Sequence, residues 1–261
     1  MEIGLILALF AIGFIGSFIS GMVGIGGSIV KYPMLLYIPP ALGFAAYTAQ
    51  EVSAISAVQV FFASLAGAFA YRKGSLINKK LVLAMGVPMV IGSFAGGYGS
   101  KFLPNEAINM TYAVLALIAA VMMFMPKKGD HGEVDYARLQ FPVGLASIIA
   151  AAVGILSGIV GAAGAFITVP VMLVILKIPT RVAIASSLVI TFISSVGSAA
   201  GKVMSGHMLL IPSVIMVIAS ILGSPAGARA GQKMNVKTLQ WILAVLISAT
   251  VIKIWADMFM S

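Results

Sequence analysis

The sequence contains no cysteine, only two histidines and only seven acidic residues among 261. Without cysteine there is no disulfide framework, no thiol nucleophile and no cysteine-ligated metal. His131 and His207 lie far apart, so a histidine metal centre is not expected. Ser157 precedes a glycine, but neither histidine is placed to serve it as a base, so an intramembrane enzyme is not expected either. No nucleotide-binding motif is present, and no cofactor is expected. The acids, Glu2, Glu51, Glu106, Asp130, Glu133, Asp135 and Asp257, fall at the ends of apolar runs or in one polar stretch. A cation or proton pump carries a carboxylate in mid-membrane, so a cation substrate is not expected; Glu51, beside Gln50, is the acid placed where a vestibule would reach it.

What is present is apolar. Hydrophobic residues make up 61% of the chain and charged ones 9%, against roughly a quarter charged in soluble domains. The stretches 3–30, 32–50, 52–71, 81–100, 107–126, 139–176, 182–201, 203–228 and 238–252 carry no charge, and most match the roughly 20 residues a helix needs to cross hydrocarbon. This is the pattern of an all-α polytopic membrane protein of about 8 to 10 segments. The first run lacks a basic leader, so a removable signal peptide is not expected. The net charge of +9 is spread singly or in pairs between apolar runs, which reads as membrane topology and not as a nucleic-acid surface.

The chain repeats itself. An offset of 137 aligns Ser20, Gly21, Val23, Gly24, Gly27 and Pro33 with Ser157, Gly158, Val160, Gly161, Gly164 and Pro170. Further along, Gln59 falls on Thr191 and Gly74 on Gly206 at an offset of 132, and Gly92-Ser93 and Gly96 fall on Gly223-Ser224 and Gly227 at 131. Small drifts at loops with preserved order are what a duplication leaves. The expected organisation is a transmembrane repeat over 1–126, a polar linker over 127–138 that is cytoplasmic, and a second repeat over 139–261.

Positive charges arbitrate between parallel and inverted copies. With four crossings per half, the lysines and arginines divide nine against seven. If 29–48 and 165–179 also cross, Lys31, Arg72, Lys73, Lys79, Lys80, Lys127, Lys128, Arg138, Lys177, Arg181, Arg229, Lys233 and Lys237 share one side, leaving Lys101, Lys202 and Lys253 opposite. Thirteen against three favours ten segments, inverted halves and both termini outside.

A glycine-rich interruption at membrane depth persists only if it is buried in protein or lines a watery cavity. In inverted-repeat transporters, paired breaks aim half-helix N-termini at an anionic substrate. The candidates are Gly24, Gly26, Gly27 and Ser28 in one half, and Gly161 to Ala165, with Gly161 and Gly164, in the other; close helix packing through small residues is the alternative reading. Ser53, Ser56 and Gln59, with Ser186, Ser187, Thr191, Ser194 and Ser195, recur at three- to four-residue spacing and share helical faces. Hydroxyls and an amide serve an oxyanion without bringing negative charge; helix-helix hydrogen bonding would use the same groups. Gln59, Thr191 and Ser194 are the candidates for substrate binding. Lys31, just after the first break, reads either as a gate cation or as a snorkelling, positive-inside lysine.

The segment Ser20-Gly21-Met22-Val23-Gly24-Ile25-Gly26-Gly27 leading to Pro33, with its echo from Ser157 to Pro170, resembles the TauE/SafE family of sulfite exporters. The resemblance spans nearly the whole chain. It implies secondary transport, commonly export, of small sulfur-containing anions such as sulfite, sulfoacetate or other organosulfonates across a prokaryotic inner membrane. Ala162-Ala163 and Ala165 depart from the family's further glycines. A passive anion channel, or a carrier of another small anion, is the alternative; homodimerisation is a further expectation.

Overall fold

The computed structural model describes residues 2–23, 28–71, 76–124 and 140–235, with isolated positions from 238 to 256. Gly24, Gly26 and Gly27, the side chain of Ser28 and the linker 127–138 lie outside the described residues. Every described element is helical: α1 Ile3–Val23, α2 Ser28–Ala41, α3 Ala49–Tyr71, α4 Lys79–Gly99 with a 3-10 turn at Ser100–Phe102, α5 Asn105–Phe124, α6 Val143–Val160, α7 Ala165–Val174, α8 Thr180–Ser205 and α9 Leu210–Lys233.

Local chemistry sets several of the ends. Thr48 and Glu51 form a reciprocal capping box for α3: Glu51 Oε2 accepts from the Thr48 N–H at 2.8 Å, and Thr48 Oγ1 accepts from the Glu51 N–H at 3.2 Å. Glu51 is thereby committed to the helix start. Asn78 caps α4 through the Leu81 N–H at 2.9 Å. Gly206, with φ +83°, ends α8.

Seven helices, α1, α3, α4, α5, α6, α8 and α9, are long and apolar enough to span a bilayer. At 1.5 Å per residue, the 14 residues of α2 and the 10 of α7 extend only about 21 and 15 Å, short of a hydrocarbon core about 30 Å thick. The surface matches lipid. Leu83, Ile91, Ile148 and Leu210 are 65%, 66%, 71% and 69% exposed, while Gln59, Thr191 and Ser194 are fully buried. The protein is a multi-pass membrane protein with Gln59, Thr191 and Ser194 turned inward.

Order and direction recur. A long helix, a short one and two long ones occupy 3–99, and the same order occupies 143–233. Gly223, Gly227 and Gly231 of α9 abut Phe14, Phe18 and Met22 of α1, so these two helices run parallel. Gly92 and Gly96 of α4 abut Ala151 and Ile155 of α6, again in parallel. Gln59 reaches Ser220, and Ser224 reaches Ala63, so α3 runs with α9. Gly197 and Gly201 of α8 meet Val90 and Phe94 of α4, so α8 runs with α4. Against these, Lys202 meets Ser53, Phe61 meets Phe192 and Gly67 meets Leu188, so α3 and α8 are antiparallel. One set, α1, α3 and α9, therefore opposes the other, α4, α6 and α8.

The two parallel seams share a register. Gly21 lies on the carbonyl of Ser224 and Gly158 on that of Ser93; Gly227 lies on Phe18 and Gly96 on Ile155; Gly223 lies on Phe14 and Gly92 on Ala151. Each pair of pairs is related by the offsets 137 and 131 found in the sequence. In lipid, where apolar surface alone does not drive helices together, such close backbone approach supplies the packing. A Cβ at Gly227 or Gly96 overlaps a backbone carbonyl that has no rotamer to escape into. Gly227→Ala or Gly96→Ala is expected to lower the unfolding temperature of detergent-purified protein, at a cost of about 1–3 kcal/mol; an unchanged melting curve would contradict the seam geometry.

Candidate functional site

The break before α2 is followed at once by a buried cation. Lys31 sits in the first turn of α2, and its side chain is 0% exposed. Its stem lies in the space that Gly16 leaves on α1, where a Cβ would overlap Cγ and come within 2.7 Å of Cδ. Its ammonium reaches Ser17 Oγ of α1 at 3.4 Å. Ser17 Oγ donates to Ser220 Oγ of α9 at 2.8 Å, and Gln59 Nε2 of α3 donates to Ser220 Oγ at 2.6 Å and to Ser17 Oγ at 3.2 Å. Ser220 passes its own proton to the Met216 carbonyl at 2.6 Å.

Four helices thus converge on one polar knot in which Lys31, among the described residues, is under-coordinated. An ammonium carries three donors, and one long contact uses one of them. Gln59 Oε1 and the nearby α1 hydroxyl Ser20 Oγ have no partner among the described residues. The described acids are Glu2 and Glu106, both exposed, and Glu51, which caps α3; none pairs with Lys31. The snorkelling and positive-inside readings of Lys31 are therefore corrected: room beside Gly16 draws the side chain into protein instead of out to the interface.

Because that room is specific, Gly16→Ala is a test of the cation's position. The added methyl must rotate the lysine stem, so, on the expectation of an anionic substrate read from the sequence, the variant folds and loses about tenfold in anion affinity, the value of one charge-assisted hydrogen bond, read by titration calorimetry.

A second lysine is equally buried and differently dressed. Lys202, in the last turn of α8, is 1% exposed. Its ammonium donates to Ser53 Oγ at 2.6 Å, Ser100 Oγ at 2.7 Å and the Ile159 carbonyl at 2.6 Å. All three donors are used, on the start of α3, the end of α4 and the end of α6. The reading of Lys202 as a loop charge is corrected: the helix continues through it to Ser205.

The second break spans 161–164. Gly161 closes α6 in a Schellman motif, with the Ala162 N–H on Ser157 O at 2.8 Å and the Gly161 N–H on Gly158 O at 3.1 Å. Its φ of +77° is a conformation that suits glycine, and a Cβ there would overlap the Ser53 carbonyl. Ala163 and Gly164 also have positive φ, at +50° and +76°. Ala163 and Ala165 pack on Val60 of α3, so the break runs along α3 from Ser53 to Val60. Ser56, whose Oγ is buried without a partner, lies on the same α3 face.

The other candidates separate. Ser194 Oγ shares a hydrogen bond of 2.6 Å with Ser93 Oγ, and Thr191 Oγ1 is buried without a partner among the described residues. Thr168, the repeat mate of Lys31, donates back to Gly164 O at 2.6 Å. Gln59 and Lys31 are brought together, while Thr191 and Ser194 form their own group on α8. The contributions of Ser17, Ser220 and Lys202 to the interior were missed from sequence. Ser17 and Ser220 carry the signal that identified Gln59, a polar side chain inside an uncharged run, but serine alone is too common in membrane helices to stand out.

With this geometry in hand, comparison with known proteins gives a consistent answer. The family description "Sulfite exporter TauE/SafE" matches residues 9–254. The chain is 26% identical over 256 residues to the probable membrane transporter protein YunE of Bacillus subtilis, covering 92% of this chain and 93% of that one. It is 25% identical over 255 residues to a probable membrane transporter protein of Methanocaldococcus jannaschii, covering 92% and 91%. It is 26% identical over 236 residues to YdhB of Bacillus subtilis, a probable membrane transporter protein, covering 88% of each. No solved structure matches the chain.

Proposed function

The chain belongs to the sulfite exporter TauE/SafE family and is a membrane transporter, not an enzyme; on that premise we propose that it is a secondary transporter that exports small sulfur-containing anions, such as sulfite, sulfoacetate or organosulfonates. The membrane is a prokaryotic inner membrane, with the linker 127–138 on the cytoplasmic side and a homodimer as the working assembly. The halves 1–126 and 139–261 act as inverted repeats that alternate access around a site between the two breaks.

The observation that carries this reading is Lys31: a buried cation, facing Ser17, Gln59 and Ser220, with no described carboxylate to neutralise it. Ionisable groups at membrane depth mark substrate paths, and an ammonium among neutral donors suits an oxyanion. The anion lies between this knot and the second break. Gly161 and Gly164 shape that break, with Thr191 and Ser194 lining the second half; Gly24, Gly26, Gly27 and Ser28 open the first. Lys31 belongs to the site itself in this reading. The opposed directions of α1 and α6, α3 and α8, and α4 and α9 support inversion, because each helix of one half runs against its counterpart in the other. Alternating access by moving one repeat against the other requires that arrangement.

The test is a thermal-shift panel on the purified protein with sulfite, sulfoacetate, taurine, thiosulfate, sulfate and short carboxylates. Ligands that bind the folded state raise its apparent stability by RT ln(1 + [L]/Kd). Sulfite and the sulfonates are expected to raise the melting temperature most; a response confined to carboxylates would contradict the cargo assignment.

A further inference from the structure

Resting on the transporter reading above, the charge inventory of the membrane interior says how the cycle is coupled. Among the described residues, the fully buried charges are Lys31 and Lys202. Lys202 spends its three donors on Ser53, Ser100 and Ile159, so its charge is compensated by protein dipoles. Among the described residues, Lys31 is compensated by Ser17 Oγ alone, at 3.4 Å, and its side chain is 0% exposed. An ammonium sealed from bulk solvent with no counter-charge among the described residues is a costly arrangement in a low-dielectric interior. An anion of charge one removes that cost and leaves the loaded site neutral.

We infer that the protein is an anion exchanger: one singly charged anion leaves as another enters, because the loaded carrier passes through its closed state readily and the empty one does not. Gln59 and the hydroxyls of Ser17 and Ser220 supply neutral donors and acceptors, so among the described residues the site has no second cation to balance a doubly charged oxyanion. Monosulfonates and hydrogen sulfite fit this stoichiometry; sulfate does not, nor does sulfoacetate, which carries two charges, so the cargo proposed above narrows. The exported anion is thereby paired with an imported one, and the gradient of the second drives the first.

The experiment uses purified full-length protein in liposomes loaded with radiolabelled methanesulfonate. Efflux is followed into buffer holding no permeant anion, unlabelled methanesulfonate, or sulfate, with the membrane potential clamped at zero by potassium and valinomycin. Efflux into methanesulfonate is expected to exceed efflux into anion-free or sulfate buffer by about tenfold or more. In Lys31→Gln, which keeps a donor and removes the charge, the two rates are expected to converge, with binding weakened but present. Equal rates of net efflux and exchange in the wild type would overturn the inference, all the more so if a proton moves with each anion. Equal stimulation by sulfate would overturn the charge assignment. Saturable exchange that survives in Lys31→Gln with its net-to-exchange ratio unchanged would overturn the role of Lys31 and leave the transporter reading standing. Flux that is not saturable in either mode would fail both.

Discussion

Lys31→Met is expected to lower the affinity of the purified transporter for the sulfur anion proposed as its cargo by about ten- to a hundredfold, the loss expected when a hydrogen bond to a charged group worth roughly 1.5–3 kcal/mol is removed. In the absence of anion, its melting temperature holds or rises. Both outcomes follow from one feature, a buried ammonium with a single long protein contact. Methionine keeps the length and apolar volume of the stem beside Gly16 while removing a charge that protein alone does not compensate, and replacing poorly compensated buried charge by apolar side chains is often neutral or stabilising. Titration calorimetry and a melting curve on the same preparation measure both. A variant that binds as the wild type does would remove Lys31 from the site. One that melts far below the wild type would make it a structural residue.

Lys202→Met is expected to do the reverse. Its ammonium ties the start of α3 to the ends of α4 and α6 through three hydrogen bonds of 2.6–2.7 Å. Removing it strands the Ile159 carbonyl and takes a donor from each of two hydroxyls. Ser53 and Ser100 still spend their own protons on Gln50 O and Gly97 O, so the loss falls on their acceptor sides. At about 1–3 kcal/mol for a buried group left unmet, the melting temperature falls by roughly 5 °C or more, and the protein that remains folded binds anion normally. A variant with unchanged melting and lost binding would move Lys202 into the substrate site. The same residue type, equally buried, thus has opposite assignments because one shell is complete and the other is not.

Much of the architecture was legible because hydrocarbon imposes strict terms. Long stretches without charge must be membrane helices, and the described helices are built on them, although most extend past the charge at one or both ends. The repeat register was legible in more detail: offsets of 137 and 131, found on glycines and serines, pick out residues that abut the same partners in the two seams. The short length of α2 and α7 was not legible, since their apolar runs continue into neighbouring segments and only the capping at Gly161 marks where one helix stops. The topology count included Lys31 and Lys202 as loop charges. Both are buried, and taking one from each side leaves twelve against two, so the bias survives. Within the site, Gln59, Thr191 and Ser194 stood out as polar groups in apolar runs. The burial of the lysines did not, because a lysine at the edge of an apolar run reads the same whether it snorkels out or folds in. That choice is made by tertiary packing: space beside Gly16 for one, and a ring of acceptors on three helices for the other.

The most direct test of the central claim is sulfite flux into liposomes carrying the purified protein, measured over a range of concentrations and repeated as counterflow. A carrier that closes around Lys31 predicts a rate that saturates and a transient accumulation of label against its gradient when the vesicles are preloaded with unlabelled sulfite. Flux that rises linearly without saturation and shows no counterflow would contradict it, and would make the protein a passive anion channel.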